Sequence, residues 1–354
     1  MPEARGSGTV PEARGNSTVL RVIDFGRVSP LRSQTLWHAV AYGVSAGQPP
    51  TLSFARPSGP YVCLGYLRDA AEVDHEYCRT RGLPVYRRMV GGGPVYLDER
   101  QQFFQICVPA AGVSPSRSAA LRDLLEPAVA AFRAVGVPAS LDGAGEICLG
   151  DQKICGHGAG QIGDAVVVCG NLIEAFDHEQ ATRVLAIEDR LQRQETLRLM
   201  RRYVTATPVD PGPFREALAR AYAAALSLPA MRAEMSADEM DKTAELDRRF
   251  LTARWLAGPR RGSAPDTRQR QVKVRAGVWT LTAQAPGGAK VVASAVKGTL
   301  DRVVLDAPDL NGRARAVERT LTGIPLASAA EALGQMGADC AGLAAAFARA
   351  EGVR

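Results

Sequence analysis

Three consecutive glycines stand between two runs of strand-forming residues near the first quarter of the chain. The segment 86–100 reads YRRMVGGGPVYLDER, with Arg88 shortly before the glycines. A glycine backbone can approach a ligand closely and expose N–H groups to an anion. A guanidinium can bind a phosphate or a carboxylate through two hydrogen bonds. The glycines alone are more typical of a flexible hairpin tip beside a surface arginine, so the segment needs a second indication.

Lysine is rare in this chain, and one lysine stands apart from the others. The five lysines are Lys153, Lys242, Lys273, Lys290 and Lys297, and Lys153 is the only one in the first 241 residues. The sequence EICLGDQKICGHGAG around Lys153 predicts a strand, a tight turn at Gly150–Asp151 and a returning strand, with a glycine where a type II′ turn favours it. A lysine placed there can direct its charge at a polarised carbonyl or a phosphoryl oxygen. A lysine on a strand is more commonly exposed to solvent and without a function in binding. The scarcity of lysine in this chain weakens that explanation for Lys153 only slightly.

The composition limits the partners without identifying one. A chain of 354 residues with 46% hydrophobic residues predicts one large domain and a smaller one. The formal charge of +6 admits anionic partners, but no nucleic-acid-binding module is recognisable and only 6% of residues are aromatic. No apolar run approaches the roughly 18 residues of a membrane span, the N-terminus lacks the order of a signal peptide, and seven scattered cysteines fit reduced thiols. We therefore expect a cytoplasmic protein with neither nucleic acid nor a membrane as partner.

Strand and helix patterns alternate along most of the chain and predict the scaffold for these residues. Strands are predicted at 20–25, 51–56, 61–65, 84–89, 95–97, 103–108 and 165–173. Helices are predicted at 33–46, 72–81 and 116–135, and helical segments dominate from 176 to about 228. This order predicts an α+β fold in which a mixed β-sheet is flanked by helices.

The domain boundaries follow changes in composition. The tandem repeat PEARGSGTV/PEARGNSTV occupies residues 2–19 and has no apolar period, so residues 1–18 are predicted to be a disordered tail. We expect a catalytic domain at 19–256, a basic linker at 257–267 and a small α+β domain at 268–354. In the last domain, strands are predicted at 272–275, 278–284 and 291–296, and helices at 313–321 and 328–351.

The motifs together resemble a known family. RRMVGGGPVYLD, followed by GDQKICGHGAG and then CGNLI, resembles the lipoate–protein ligases, which are related to biotin ligases and octanoyltransferases. The resemblance covers residues 20–230 in order, and GTLDRVVLDAPDL with VERTLTGIPL resembles the accessory domain of such ligases.

This resemblance implies a reaction in two steps. Lipoate, or octanoate, and ATP form an acyl-adenylate with release of pyrophosphate, usually with Mg²⁺, and the acyl group then passes to a lysine of a lipoyl-domain acceptor protein. By position, Lys153 would be the catalytic cation and Arg88 would approach the adenylate phosphate. The resemblance implies that the nucleotide and acyl group are bound by Arg88, Gly91, Gly92, Gly93, Pro94, Val95, Glu146, Gly156, Gly170 and Asn171. It assigns no residue of the chain as a metal ligand.

Several positions differ from the family pattern. Val90 stands where Ser or Thr is usual, Leu97 where a His is common, and Gly145-Glu146 where the family has Asn-Asp. Cys155-Gly156-His157 replaces a small Ser-Gly-Ser segment, and Val168-Cys169-Gly170 replaces His-His-Gly. These changes remove polar contacts to an adenylate more than they affect acyl binding.

Two alternatives therefore stay open. Octanoyltransferases of the superfamily use a cysteine as acyl carrier, and Cys148, Cys155 and Cys169 lie around the lysine hairpin, although none is at the position of the family's nucleophile. Cys155 and His157 alternate along the chain and could share a face, whereas a buried structural thiol is the commoner role. The other alternative is a non-catalytic homologue that binds an acyl cofactor or a carrier protein.

Overall fold

The computed structural model describes residues 18–259, 269–284, 290–306 and 312–336, together with Cys340, Ala344 and Phe347. The chain divides into two units. The first comprises the chain up to Asp177 and again Thr205–Pro259, and the second comprises His178–Val204 and the chain from Arg260 onward. All but the last two residues of the repeat at 2–19, and most of the predicted linker, lie outside the described residues.

A six-stranded sheet forms the centre of the first unit. The strands of this unit are β1 (Leu20–Val28), β2 (Thr51–Pro57), β3 (Tyr61–Leu64), β4 (Val85–Arg87), β5 (Val95–Leu97), β6 (Gln101–Pro109), β7 (Ser140–Leu141), β8 (Ile147–Leu149), β9 (Gln152–Lys153), β10 (Gly158–Ile162), β11 (Ala165–Ile173) and β12 (Ala230–Arg232). The large sheet has the order β10-β11-β6-β2-β1-β12, in which β12, β1 and β2 are parallel and the remaining neighbours antiparallel. The sheet is therefore mixed.

Helices cover both faces of this sheet. The helices of the first unit are α1 (Arg32–Ser45), α2 (His75–Thr80), α3 (Arg117–Ala134), α6 (Pro211–Leu226), α7 (Ala237–Phe250) and α8 (Ala253–Ala257). The second unit contains α4 (His178–Arg183), α5 (Arg190–Tyr203), α9 (Ala314–Leu321) and α10 (Ala329–Gln335). Side chains alternate along a strand, so Val168 and Leu172 of β11 join the core with α3 and α6, whereas Ala165 and Val167 pack with α1. No helix of the described residues is both long and apolar enough to cross a membrane.

Two small sheets carry the predicted motifs. In the first, β3 pairs with β4 in parallel and with β5 antiparallel. In the second, β7, β8 and β9 form an antiparallel meander.

The second unit has a sheet of its own. Its strands β13 (Gln269–Arg275), β14 (Val278–Gln284), β15 (Lys290–Val296) and β16 (Thr299–Asp306) form an antiparallel meander. Helix α5 packs on this sheet through Leu199 and Tyr203, which contact Val278, and through a hydrogen bond of 2.8 Å between Thr196 and Thr280. Helices α9 and α10 contribute Val317, Leu321 and Leu333 to its core.

The predicted α+β class with a mixed, helix-flanked sheet is confirmed. The predicted strands 95–97 and 165–173 match β5 and β11 at both ends. Helix α10 begins next to the predicted start at 328, but most of the predicted helix beyond 336 lies outside the described residues. The prediction gave no separate element for β7, β10, β12, β16, α7 or α8. Strand β10 is rich in glycine and β12 is exposed throughout, so neither shows an apolar alternation.

Candidate active site

The glycine loop, residues 88–94, connects β4 to β5 and lies against β10 of the large sheet. The Gly91 N–H donates to the Ala159 carbonyl at 3.1 Å. A Cβ added to Gly65, just after β3, would stand 2.0 Å from the carbonyl oxygen of Gly92, and Gly92 itself has a φ of +104°. The close approach of these two segments therefore requires glycine at both positions.

The buried side chain of Arg88 stabilises this loop through hydrogen bonds. Only 7% of the residue is exposed, and its guanidinium donates to the carbonyl oxygens of Cys63, Gly91 and Gly93 at 2.8–3.1 Å. These bonds direct two carbonyls of the loop toward the arginine and fix the loop's shape. Direct contact between Arg88 and a phosphate stays a prediction.

The outer side of the loop presents backbone N–H groups. Gly91 and Gly92 are exposed, and the N–H groups of Gly92 and Gly93 donate to no atom of the described residues. A Cβ at Gly93 would meet nothing within 4 Å, so the space beside the loop is open. Pro94 and Val95 continue half-buried into β5. Successive backbone N–H groups of this kind form a concavity that suits an anion.

Lys153 and Glu146 are brought together by the lysine hairpin, residues 146–153. The Lys153 Nζ lies 3.0 Å from Glu146 Oε1, with the two side chains 17% and 6% exposed. An ammonium group has three N–H donors, so the bond to Glu146 fixes its position and leaves donors for a ligand. The pair can therefore present a positioned positive charge to a carbonyl or phosphate oxygen.

The hairpin has the predicted two-residue turn. Cys148 pairs with Lys153 across β8 and β9, and Gly150 has a φ of +61°, as the first position of a type II′ turn requires. On the other side of β8, the Asp142 carboxylate accepts from the Glu146 N–H at 2.9 Å and fixes the start of the strand. Local turn chemistry thus places both charged residues.

The two predicted segments approach each other where the chain leaves the hairpin and enters β10. A Cβ at Gly158 would lie 3.0 Å from the carbonyl oxygen of Gly91. Gly158 is five residues beyond Lys153 in the sequence, so the glycine loop packs directly on the segment that continues from the lysine.

Asn171 positions this connecting segment. Its Oδ1 accepts from the Gly156 N–H at 2.6 Å, and its Nδ2 donates to Gln101 Oε1 at 2.8 Å. A Cβ at the preceding Gly170 would stand 2.4 Å from the ring of Phe104, so that position also has a packing reason for glycine. The contacts of Gly156, Gly170 and Asn171 with an acyl group stay predictions.

The thiols of Cys155 and Cys169, near the hairpin, favour the protonated state. Cys148 and Cys155 are buried, and Cys169 is half-buried. Burial raises the pKa of Cys155 to about 12 and also raises the pKa of Cys169. The thiolate is the nucleophilic form of cysteine, and reactive cysteines have lowered pKa values. Cys155 Sγ lies 3.6 Å from the Gly156 carbonyl, and Cys169 Sγ donates to the Gly158 carbonyl at 3.4 Å.

His38 of α1 is a site residue that the sequence did not identify. Its Nε2 accepts from the Met89 N–H of the glycine loop at 2.9 Å, while Nδ1 lies 2.6 Å from the Gln34 carbonyl and donates to it. The ring is fully buried and stacked on Trp37, and burial lowers its pKa to about 3. His38 is therefore a neutral group that positions the loop. A single histidine in the apolar stretch TLWHAV gives no signal of this role.

The substituted position Val90 has a structural explanation. Its side chain is buried, and a Cβ at Gly160 of β10 would lie 3.1 Å from it. The valine fills the space over this glycine and joins the core beneath α1. An apolar residue here attaches the loop to the sheet at the cost of a hydroxyl donor.

The described residues do not form a metal site by themselves. Over those parts of the chain, no group of three or more His, Cys, Asp or Glu side chains is arranged so that it could hold a metal ion. A divalent cation at this site would therefore take its ligands mainly from a bound substrate, as Mg²⁺ does with nucleotide phosphates.

Three known proteins show what this chain is similar to. An octanoyltransferase LipM of Moorella thermoacetica is 25% identical over 267 residues, which cover 67% of this chain and 97% of that protein. The lipoate–protein ligase 1 of Staphylococcus aureus is 26% identical over 146 residues, 41% of this chain and 44% of the relative. A solved structure of a bipartite lipoate protein ligase and its E2 lipoyl domain from Thermoplasma acidophilum matches with a TM-score of 0.61 at 23% identity, over 70% of this chain and 99% of the other.

The match to a family is more extensive than any of its motifs. It begins two residues before α1, includes the glycine loop and the lysine hairpin, and ends just after α5. Residues 30–206 match the lipoyl protein ligase A/B catalytic domain, half of the chain, and the protein belongs to this family.

Proposed function

We propose that the protein is an ATP-dependent lipoate–protein ligase that accepts lipoate or octanoate. In the first step, a carboxylate oxygen of the acid attacks the α-phosphorus of ATP, the bond to pyrophosphate breaks, and an acyl-adenylate forms. In the second step, the ε-amine of an acceptor lysine attacks the acyl carbonyl carbon, AMP leaves with the bridging oxygen, and the amine loses a proton. The product is an amide on an unmodified lipoyl domain.

The difference between Lys153 and Cys155, two residues further along the chain, is the main support for this proposal. Lys153 is a cation held by Glu146 at 3.0 Å, whereas burial keeps the neighbouring Cys155 protonated. A positioned cation stabilises the charge that develops on the α-phosphate and on the acyl oxygen. Because a mixed anhydride is already reactive, the second step mainly requires positioning of the two reactants.

The residues at the site fit a nucleotide phosphate. The N–H groups of Gly92 and Gly93, which donate to no atom of the described residues, provide neutral donors, and Lys153 provides a cation. Mg²⁺ would neutralise phosphate charge and would be bound chiefly by the phosphate oxygens.

A cysteine-dependent octanoyltransferase is the second candidate. The similarity to the LipM protein covers 97% of that protein, and Cys169 is half-buried beside the segment that supports the glycine loop. In this mechanism the Cys169 thiolate would attack the carbonyl of a thioester donor, and the donor thiol would leave. The acceptor lysine amine would then attack the acyl-cysteine, form the amide and release the Cys169 thiol. The raised pKa of Cys169 opposes this route, because it lowers the thiolate fraction.

Release of pyrophosphate tests the proposal. Purified protein is incubated with ATP, Mg²⁺ and either lipoate or octanoate, beside a Lys153→Ala variant. Release that requires the acid and is lost in the variant is the expected result. If neither acid causes release, but octanoyl carrier protein acylates a lipoyl domain and Cys169→Ala abolishes this transfer, the protein is a transferase. If both assays are negative, it is a non-catalytic homologue.

A further inference from the structure

The turn after β3 exposes two large apolar side chains beside the glycine loop. Tyr66 is 38% exposed and Leu67 is 54% exposed. The Tyr66 N–H donates to the Val90 carbonyl at 2.9 Å, so this turn is bonded directly to the loop. A molecule that covers Tyr66 and Leu67 would therefore lie next to the candidate active site.

Arg87 makes this turn rigid. Its side chain is fully buried, and its Nη1 donates to the carbonyl oxygens of Gly65, Tyr66 and Arg68 at 2.6–2.9 Å. The turn thus cannot fold its apolar side chains inward without losing these bonds. Rigid apolar side chains bind a partner at a low entropic cost.

Helix α8 and the residues before it extend the same surface. The rings of Tyr66 and Trp255 have centroids 6.0 Å apart, and the guanidinium of Arg249 lies 4.3 Å from the Trp255 centroid. Arg87 Nε also donates to the Leu256 carbonyl at 3.0 Å. Leu251, between α7 and α8, is 65% exposed.

The charge of this surface is positive. Arg248, Arg249 and Arg254 are exposed around Leu251. Three nearby carboxylates have cationic partners, since Glu72 pairs with Arg68, Glu245 with Lys242 and Asp247 with Arg32. A fourth, the exposed Asp69, accepts from the Ala71 N–H at 2.9 Å. An apolar centre with a cationic rim suits a partner whose own apolar contact is surrounded by acidic residues. We name it the turn–α8 surface, consisting of Tyr66, Leu67, Arg248, Arg249, Leu251 and Arg254.

We propose that the turn–α8 surface binds the acceptor protein through an acidic face of that protein and presents its lysine to the glycine loop. This inference rests on the proposed function, because it assigns the surface on which the second substrate binds. Contacts at this surface act on acceptor recognition and leave activation of the acid unchanged. Changes at this surface should therefore alter the KM for the acceptor and leave the rate of acid activation unchanged.

The experiment separates acceptor binding from activation of the acid. Hydroxylamine traps an activated acyl group as a hydroxamate without a protein acceptor, whereas transfer to an unmodified E2 lipoyl domain requires binding. The variants are Leu67→Glu, Leu251→Glu and the pair Arg248→Glu/Arg254→Glu. Met231→Glu, at an equally exposed apolar residue (54%), and Arg122→Glu, on an exposed position of α3, are the matched controls.

We expect each surface variant to raise the KM for the lipoyl domain about 10-fold or more, since loss of an interface anchor or its charge has this effect. The rate of hydroxamate formation should equal that of the wild type, and both controls should keep the wild-type KM. The wild-type KM should also rise with salt concentration. Surface variants with the KM of the controls would overturn the inference. So would sedimentation showing that the wild type is a dimer which the surface variants dissociate, because the surface would then bind a second copy of the chain.

A failure of the proposed function gives a different result. In that case the wild type forms no hydroxamate, and calorimetric titration with the unmodified lipoyl domain then measures binding directly. Binding that is weakened only in the surface variants supports the surface independently of the reaction. Equal binding by the surface variants and the controls contradicts it.

Discussion

Replacement of Lys153 by methionine should separate its catalytic role from its structural one. Loss of one positioned electrostatic donor costs about 2.7–4 kcal/mol of transition-state stabilisation, so acid-dependent pyrophosphate release should fall about 100-fold to 1000-fold. The variant also leaves Glu146, 6% exposed, without its cation. Breaking a buried ion pair lowers the free energy of unfolding by about 3–5 kcal/mol, whereas breaking an exposed pair lowers it by less than about 1 kcal/mol. With Lys153 17% exposed, we expect a loss of about 2 kcal/mol in the free energy of unfolding.

The double variant Lys153→Met/Glu146→Gln provides the control. It removes both charges, so urea denaturation should show stability within about 1 kcal/mol of the wild type, whereas pyrophosphate release should stay as low as in the single variant. Recovery of activity together with stability would refute the reasoning, because Lys153 would then act only by maintaining the fold. A single variant with more than about a tenth of wild-type activity would refute it as well.

Three further predictions concern the surroundings of the pair. Gly65→Ala should abolish activity, because its Cβ would lie 2.0 Å from the carbonyl oxygen of Gly92. Gly59→Ala, whose Cβ would meet nothing within 4 Å, should stay active, and equal activities of the two variants would contradict the packing described. Burial lowers the pKa of His38 to about 3, so the neutral ring should contribute fully to stability above about pH 6.5, and this contribution should be lost as the pH falls toward 3. The urea midpoint of the wild type should therefore drop more between about pH 7 and pH 4.5 than that of His38→Gln. A midpoint with the same pH dependence in both proteins would show that His38 does not titrate in this way. Burial raises the pKa of Cys155 to about 12, so iodoacetamide should alkylate this thiol about 1000-fold more slowly at pH 8 than an ordinary thiol. The alkylation rate should increase with pH, and rapid labelling at pH 8 would contradict the burial of this thiol.

The parts of the site that the sequence predicts correctly depend on local chemistry. The turn at Gly150–Asp151 and the strand Val95–Leu97 are encoded within a few residues, by a glycine at a positive φ and by an apolar run. The lysine and its neighbour Glu146 follow from that turn, because cross-strand pairing places them on one hairpin. Such features need no knowledge of the remaining chain.

The parts that the sequence does not predict depend on contacts between distant segments. His38 acts on Met89 from another element, and nothing in either segment indicates the contact. The missed helix α7 has a buried Glu239 that pairs with Arg21 at 2.9 Å, so a charged residue faces the core where a pattern analysis expects an apolar one. Gly43 of α1 makes room for this carboxylate, since a Cβ there would lie 2.3 Å from its Oε1. A buried ion pair removes the apolar stripe that would otherwise predict the helix.

The origin of the oxygen in AMP tests the central claim most directly. Lipoate with both carboxylate oxygens replaced by the heavy isotope is incubated with the protein, ATP, Mg²⁺ and an unmodified lipoyl domain, and the AMP is analysed by mass spectrometry. The adenylate route predicts AMP that carries one labelled oxygen, because the bridging oxygen leaves with the phosphate, and a lipoyl amide that retains the other. Acylation of the domain with unlabelled AMP, or without AMP, together with an acyl adduct on a cysteine of the protein, would contradict the ligase mechanism.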